Sequence, residues 1–244
     1  MKMDIKVERT KAPKQKPGKG ADLPFGQIFT DHMLIMDYDA DKGWHDCRIV
    51  PFGPIMMHPG STILHYGAGA FEGMKAYRKE DGSCQLFRPS ENAKRMEKSI
   101  DRLCLPHLDA DTILDLIERF VEFEQDWVPN EKGTSLYIRP YEFGCDEPIG
   151  LHGIQKAKFM IITCPVGNYY KEGIKPVKIA IEEHDVRAVR GGTGDCKVGG
   201  NYAASNRAEA VAEHNGFTQV LWLDGVHQKY IEEVGSMNVM FKIN

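Results

Sequence analysis

Apolar residues along the chain change repeatedly between a run-like and a helical pattern, and each change marks an element. Within 27–36 they gather into Met33-Leu34-Ile35-Met36, which predicts a strand. The turn chemistry of Asp41-Lys42-Gly43 then leads to a second strand around Arg48-Ile49-Val50. Over 90–105 the apolar positions Ala93, Met96, Ile100, Leu103 and Cys104 recur at helical spacing, with Ser90 expected as N-cap and Pro106 as terminator. A second helix is predicted from about 111 to 128. It is capped by Asp109, striped by Ile113, Leu114, Ile117, Phe120, Val121 and Trp127, and stopped by Pro129. Strands follow at 135–140 and 157–164, the latter so continuously apolar that both faces should be buried. A new strand set opens at 177–184. Residues 201–215 read as a helix closed by Gly216, and 217–223 with 228–232 as a hairpin about Asp224-Gly225. The last residues, 241–244, read as an apolar strand cut short.

This order of elements divides the chain into a flexible arm over 1–24, a smaller α/β domain over 25–164, a linker over 165–176 and a second domain over 177–244. The 244 residues suffice for two separate cores. A net charge of -4 leaves no basic excess to neutralise phosphates, so nucleic acid is not an expected partner. The six cysteines stand singly, without the paired spacing or matching histidines of a zinc site, and read as reduced, packed thiols. No metal is expected. No apolar run reaches membrane-spanning length, and 1–24 has lysines and prolines but no apolar signal core, so a cytoplasmic location without a membrane partner is expected.

The most informative stretch chemically is Gly191-Gly192-Thr193-Gly194-Asp195-Cys196-Lys197-Val198-Gly199-Gly200-Asn201-Tyr202. It sets one lysine in a glycine-rich turn just ahead of a helix. A lysine amine held near a carbonyl can form a Schiff base, and glycine backbone lets a bulky ring and its phosphate come close. The rival reading, a nucleotide phosphate loop, needs glycine before the lysine and serine or threonine after it; here Cys196 and Val198 occupy those places. Tyr202, five residues on, and Glu233 in Ile231-Glu232-Glu233-Val234 add a phenol and a carboxylate. Strand alternation turns Glu232 away from whichever side Glu233 faces. His65 reads as structural and Cys196 as a small side chain filling a tight turn.

Six blocks, in order, carry a resemblance that covers almost the whole chain. They are Leu64-His65-Tyr66-Gly67, Phe71-Glu72-Gly73-Met74-Lys75-Ala76-Tyr77, Leu86-Phe87-Arg88-Pro89, Leu136-Tyr137-Ile138-Arg139-Pro140, Lys197-Val198-Gly199-Gly200-Asn201-Tyr202 and Glu233-Val234-Gly235-Ser236-Met237-Asn238. With these, the chain resembles the branched-chain amino acid aminotransferases, pyridoxal 5'-phosphate enzymes of the D-amino acid aminotransferase-like fold.

The resemblance implies an α+β, two-domain, fold type IV architecture whose second, larger, cofactor-binding domain is incomplete. It implies amino-group transfer between leucine, isoleucine or valine and 2-oxoglutarate through a pyridoxal-phosphate Schiff base, as in branched-chain amino acid biosynthesis. Lys197 would be the catalytic residue and cofactor anchor, Glu233 the partner of the ring nitrogen, Tyr202 that of the ring oxygen and Arg95 that of the phosphate. By pattern Arg88 competes with Arg95, and only the resemblance decides. Tyr66, Phe71, Lys75, Tyr137 and Arg139 would meet the branched-chain amino and 2-oxo acids and glutamate; alternation in 136–139 already puts Tyr137 and Arg139 on one strand face. A homodimer is implied as well, although Gly144-Cys145-Asp146-Glu147-Pro148-Ile149-Gly150-Leu151 departs from the family's wording by an insertion in the loop expected to reach the partner subunit. The alternatives are a D-amino acid aminotransferase or a chorismate-derivative lyase of the same fold, and a non-catalytic fragment.

Overall fold

Strand alternation with apolar residues on both faces builds the sheet of the first unit. The computed structural model describes residues 3–168, 175–235 and 237–244. It divides into two units, Met1–Lys171 and Glu172–Asn244. The predicted linker at 165–176 lies partly outside the described residues. In the first unit β1 (Lys6–Val7), β2 (His32–Asp39), β3 (Gly43–Pro51), β4 (Gly69–Phe71), β5 (Met74–Arg78), β6 (Cys84–Leu86), β7 (Ser135–Gly144) and β8 (Lys156–Val166) form one sheet. Its order is β1-β3-β2-β8-β7-β5-β6, with β4 paired to β7. Every pairing is antiparallel except β1 with β3.

Alternate residues go to opposite faces. Leu34, Met36, Leu136, Ile138, Phe159 and Ile161 share one face and are fully buried. Met33, Ile35, Phe143 and Met160 take the other, where Val50, Phe52, Ile63 and Tyr141 pack against them. Helices α2 (Pro89–Arg102) and α3 (Ala110–Phe123) pack on each other, and α2 also packs on β4. Their inward stripe, Met96, Ile100, Ile113, Leu116, Ile117 and Phe120, is fully buried. A short α1 (Thr62–Tyr66) precedes β4.

Several boundaries differ from the sequence expectation. Ser90 is not the cap of α2: Arg88 is, in the left-handed region at φ 47°, and Pro89 takes the first helical position, where its missing N–H costs nothing. The helix ends at Arg102, short of Pro106. Asp109 does cap α3, accepting from the Thr112 N–H at 2.9 Å. That helix stops at Phe123, and a separate 3-10 turn, Gln125–Trp127, completes the predicted span. Asp109→Ala is expected to destabilise the first unit by about 1 kcal/mol, read as a lower calorimetric Tm. An unchanged Tm would show the cap to be idle.

From Met3 onward the arm expected to be flexible is bonded to the domain. Besides β1, Arg119 donates to the Met3 carbonyl at 2.6 Å, Lys14 Nζ to the Thr30 carbonyl at 2.8 Å, and the Gly20 N–H to Glu131 at 2.7 Å. Side chains of the domain meet the arm's backbone at Met3 and Gly20, and the arm's Lys14 side chain meets the domain's backbone at Thr30, which composition does not reveal.

The second unit is a βαβ crossover followed by a hairpin. β9 (Ile179–Glu182) runs parallel to β10 (Gln219–Leu223), and β11 (Ile231–Val234) antiparallel to it. Between β9 and β10 lies α4 (Gly199–His214), whose Ala208 and Ala212 pack on Val220 and Trp222. The expected strand at 241–244 does not form: among the described residues, pairing beyond β11 is limited to a Val234–Met237 bridge. No helix among the described residues is long and apolar enough to cross a membrane.

Candidate active site

Lys197 is held by the loop between β9 and α4, and that loop is stapled by one buried amide. Asn201, in the first turn of α4, donates to the carbonyls of Thr193 and Cys196, both at 2.8 Å. It also accepts from the Thr193 hydroxyl at 2.7 Å. These bonds fix residues 193–196 immediately ahead of the lysine without using its side chain. Lys197 Nζ donates to the Tyr202 hydroxyl at 2.6 Å. A Cβ added at Gly199 or Gly200 would meet nothing within 4 Å, so the first turn of α4 presents open backbone beside the amine.

Glu233 lies on β11 opposite Trp222. It is less exposed than its neighbour Glu232, as strand alternation requires, and it is ion-paired with Arg187. Arg187 also donates to the Gly194 carbonyl at 3.2 Å, which ties the carboxylate to the loop that carries Lys197. Sequence reasoning missed Arg187. It stands in an irregular stretch with no periodic or motif signal. Ser236 of the quoted motif lies outside the described residues.

In the first unit Arg95 projects from α2 onto Glu72, whose side chain is 0% exposed against 50% for the arginine. Nε and Nη2 of Arg95 donate to the two carboxylate oxygens at 2.5 and 3.0 Å. Arg88, the competitor by pattern, is the exposed cap of α2. On the sheet, Lys75 pairs with Tyr137 across β5 and β7. Arg139, two residues along the same face, donates to the Tyr137 hydroxyl at 2.7 Å. The guanidinium carbon stands 4.5 Å from the Phe71 ring centre, a cation-π contact. Burial raises the Tyr137 pKa, against the opposing pull of Arg139, so the phenol stays neutral through the physiological range. A Cβ at Gly73 would collide with the Tyr137 hydroxyl, so only glycine permits this approach. Among the described residues, Arg139 Nε is buried without a hydrogen-bond partner.

The structure therefore brings Lys197 to Tyr202, links Glu233 to their loop through Arg187, and gathers Phe71, Lys75, Tyr137 and Arg139 on one face. Tyr66 is not part of that gathering. It stands exposed at the end of α1, its ring 6.1 Å from His65.

Residues 69–244 match the family described as Amino-transferase class IV. Branched-chain-amino-acid aminotransferase 2 of Bacillus subtilis (strain 168) is 54% identical over 243 residues, which take in 100% of this chain and 67% of that protein. Branched-chain-amino-acid transaminase 1 of the same organism is 48% identical over 241 residues, 98% of this chain and 67% of that one. Among solved structures, the T.th. branched-chain amino acid aminotransferase with pyridoxamine 5'-phosphate matches with a TM-score of 0.66 at 26% identity, over 85% of this chain and 63% of that one. The chain thus spans about two thirds of the length of the relatives it matches. It belongs to the class IV aminotransferase family, and within it to the branched-chain-amino-acid aminotransferases.

Proposed function

We propose that the chain transfers amino groups between branched-chain L-amino acids and 2-oxoglutarate, with pyridoxal 5'-phosphate as cofactor. The observation that carries this is the contact of Lys197 Nζ with the Tyr202 hydroxyl at 2.6 Å, on a loop to which Arg187 ties the Glu233 carboxylate. The donor set suits that cofactor: an amine for its carbonyl carbon, a phenol next to the amine, a carboxylate for the ring nitrogen, and the Arg95 guanidinium for its phosphate. When bound, pyridoxal phosphate supplies an electron-withdrawing ring that stabilises negative charge on the substrate's α carbon.

The chain's own groups do the rest. Lys197 Nζ, as a neutral amine, takes the proton from the α carbon of the amino donor and, as an ammonium, supplies one to the α carbon of the amino acid formed in the second half-reaction. Tyr202 accepts the hydrogen bond from Nζ and so aims the amine. Glu233, held by Arg187, is restrained in direction by two attachments of that arginine, to itself and to Gly194. Phe71 and Tyr137 offer an aromatic wall to a branched aliphatic side chain, while Arg139 and Lys75 offer positive charge to the second carboxylate of glutamate. The buried, partnerless Nε of Arg139 supports that role, since an acceptor on the substrate would satisfy it. We extend the proposal to Tyr66 at the substrate side and to a cytoplasmic homodimer; the net charge of -4 supports the absence of a nucleic-acid partner.

Assay of the chain loaded with pyridoxal phosphate tests this. Leucine with 2-oxoglutarate should yield glutamate and the branched 2-oxo acid, whereas D-alanine and a chorismate derivative should yield neither product nor pyruvate. Turnover of D-alanine in preference to leucine would overturn the substrate assignment.

A further inference from the structure

We propose that Glu72 is a positioning residue that orders the Arg95 guanidinium before the cofactor binds and so sets the preference for a phosphorylated cofactor. This rests on the phosphate role given to Arg95 above. An arginine that is 50% exposed on a helix would ordinarily sample many rotamers, and ordering it costs side-chain entropy at the moment of binding. Here that ordering precedes binding, because Nε and Nη2 are both committed to one carboxylate.

That carboxylate is itself rigidly set. Glu72 is 0% exposed, and burying a charge is tolerated only where donors surround it. Oε2 also accepts from Asn92 Nδ2 at 2.9 Å and from the Gly73 N–H at 3.1 Å. Asn92 and Arg95 are three apart on α2 and hence on one helix face, so the helix meets Glu72 through two side chains at once. The Glu72 N–H is bonded to the Pro140 carbonyl of β7 at 2.8 Å, and Gly73 abuts the Tyr137 hydroxyl. Glu72 therefore fixes Arg95 with respect to the strand that bears Tyr137. A buried ion pair contributes little to stability compared with an apolar pair of the same shape; what this one supplies is an arginine already ordered on its own unit.

Titration of the full chain with pyridoxal phosphate and, separately, with pyridoxal, followed by equilibrium dialysis, reads this without any activity assay. Wild type should prefer the phosphorylated compound. Glu72→Gln should lose roughly tenfold or more of that preference, the scale of one charge-assisted hydrogen bond, with pyridoxal affinity unchanged. In an Arg95→Gln background, Glu72→Gln should cost nothing further, because it acts through the arginine. An unchanged preference in Glu72→Gln, or losses from the two substitutions that simply add, would overturn the proposal while leaving the function intact. Should Glu72→Gln fail to fold, Asn92→Ala, which removes one donor to the carboxylate, should reduce the preference several-fold, and no reduction overturns the proposal equally. A wild-type chain that binds both compounds alike removes the phosphate role of Arg95, and this inference with it.

Discussion

Lys197→Ala is expected to abolish amino-group transfer, with a loss of at least about a thousandfold, because it removes both the nucleophilic amine and the group that moves the α proton. The same substitution should leave the fold of the second unit unchanged. The loop ahead of Lys197 is held by Asn201 through Thr193 and Cys196, and none of those bonds involves the lysine side chain. Far-ultraviolet circular dichroism should therefore match that of the wild type. A second readout separates chemistry from binding. Treatment with pyridoxal phosphate and borohydride should leave a stable mass increment on the wild-type peptide containing Lys197 and none on that peptide in the variant. A Lys197→Ala chain that transaminates at the wild-type rate would sink both the residue assignment and the proposed function.

Periodic burial made most of the core legible before the structure. Met33-Leu34-Ile35-Met36 is apolar on both faces and became a central strand, and the stripes through Met96 and Ile117 became buried helix faces. Strands β4, β5 and β6 escaped because three to five residues carry too little periodicity to register. The roles proposed for Lys197, Tyr202 and Glu233 come from motif wording, whereas the Tyr137–Arg139 contact was legible through strand parity alone. The residues that hold them were not. A glutamate is seldom fully buried, so nothing local marks Glu72 as the partner of Arg95 twenty-three residues later. Arg187 reaches Glu233 only because the crossover through α4 returns β10 beside β9 and the hairpin then adds β11. Pairings of that kind belong to topology, which a linear pattern does not encode.

Glu142→Leu is expected to stabilise the first unit, and increasingly so as pH rises. Glu142 sits on the same face of β7 as Leu136 and Ile138, between Ala70 on β4 and Phe159 on β8, and is 0% exposed. Among the described residues neither of its carboxylate oxygens has a hydrogen-bond partner. Burial pushes its pKa well above the ordinary 4.5, and the negative charge of Asp101 on α2 adds to the shift. With the folded pKa above the unfolded one, the folded chain keeps a proton that the unfolded chain releases. The stability this group contributes is therefore greatest below pH 4.5 and falls as pH rises towards the folded pKa, by at most about 1.4 kcal/mol per unit. Leucine removes both the orphaned polar atoms, whose burial costs roughly 1–3 kcal/mol, and the titration itself. Urea unfolding of wild type and variant from pH 5 to 8 is the measurement, since other carboxylates contribute alike to both chains and cancel in the difference. The variant's advantage should widen with pH. Glu142→Gln should flatten the pH dependence while keeping a buried amide that gains little. A difference that stays constant across this range would show that Glu142 ionises in the folded chain, which requires a donor or cation at its oxygens.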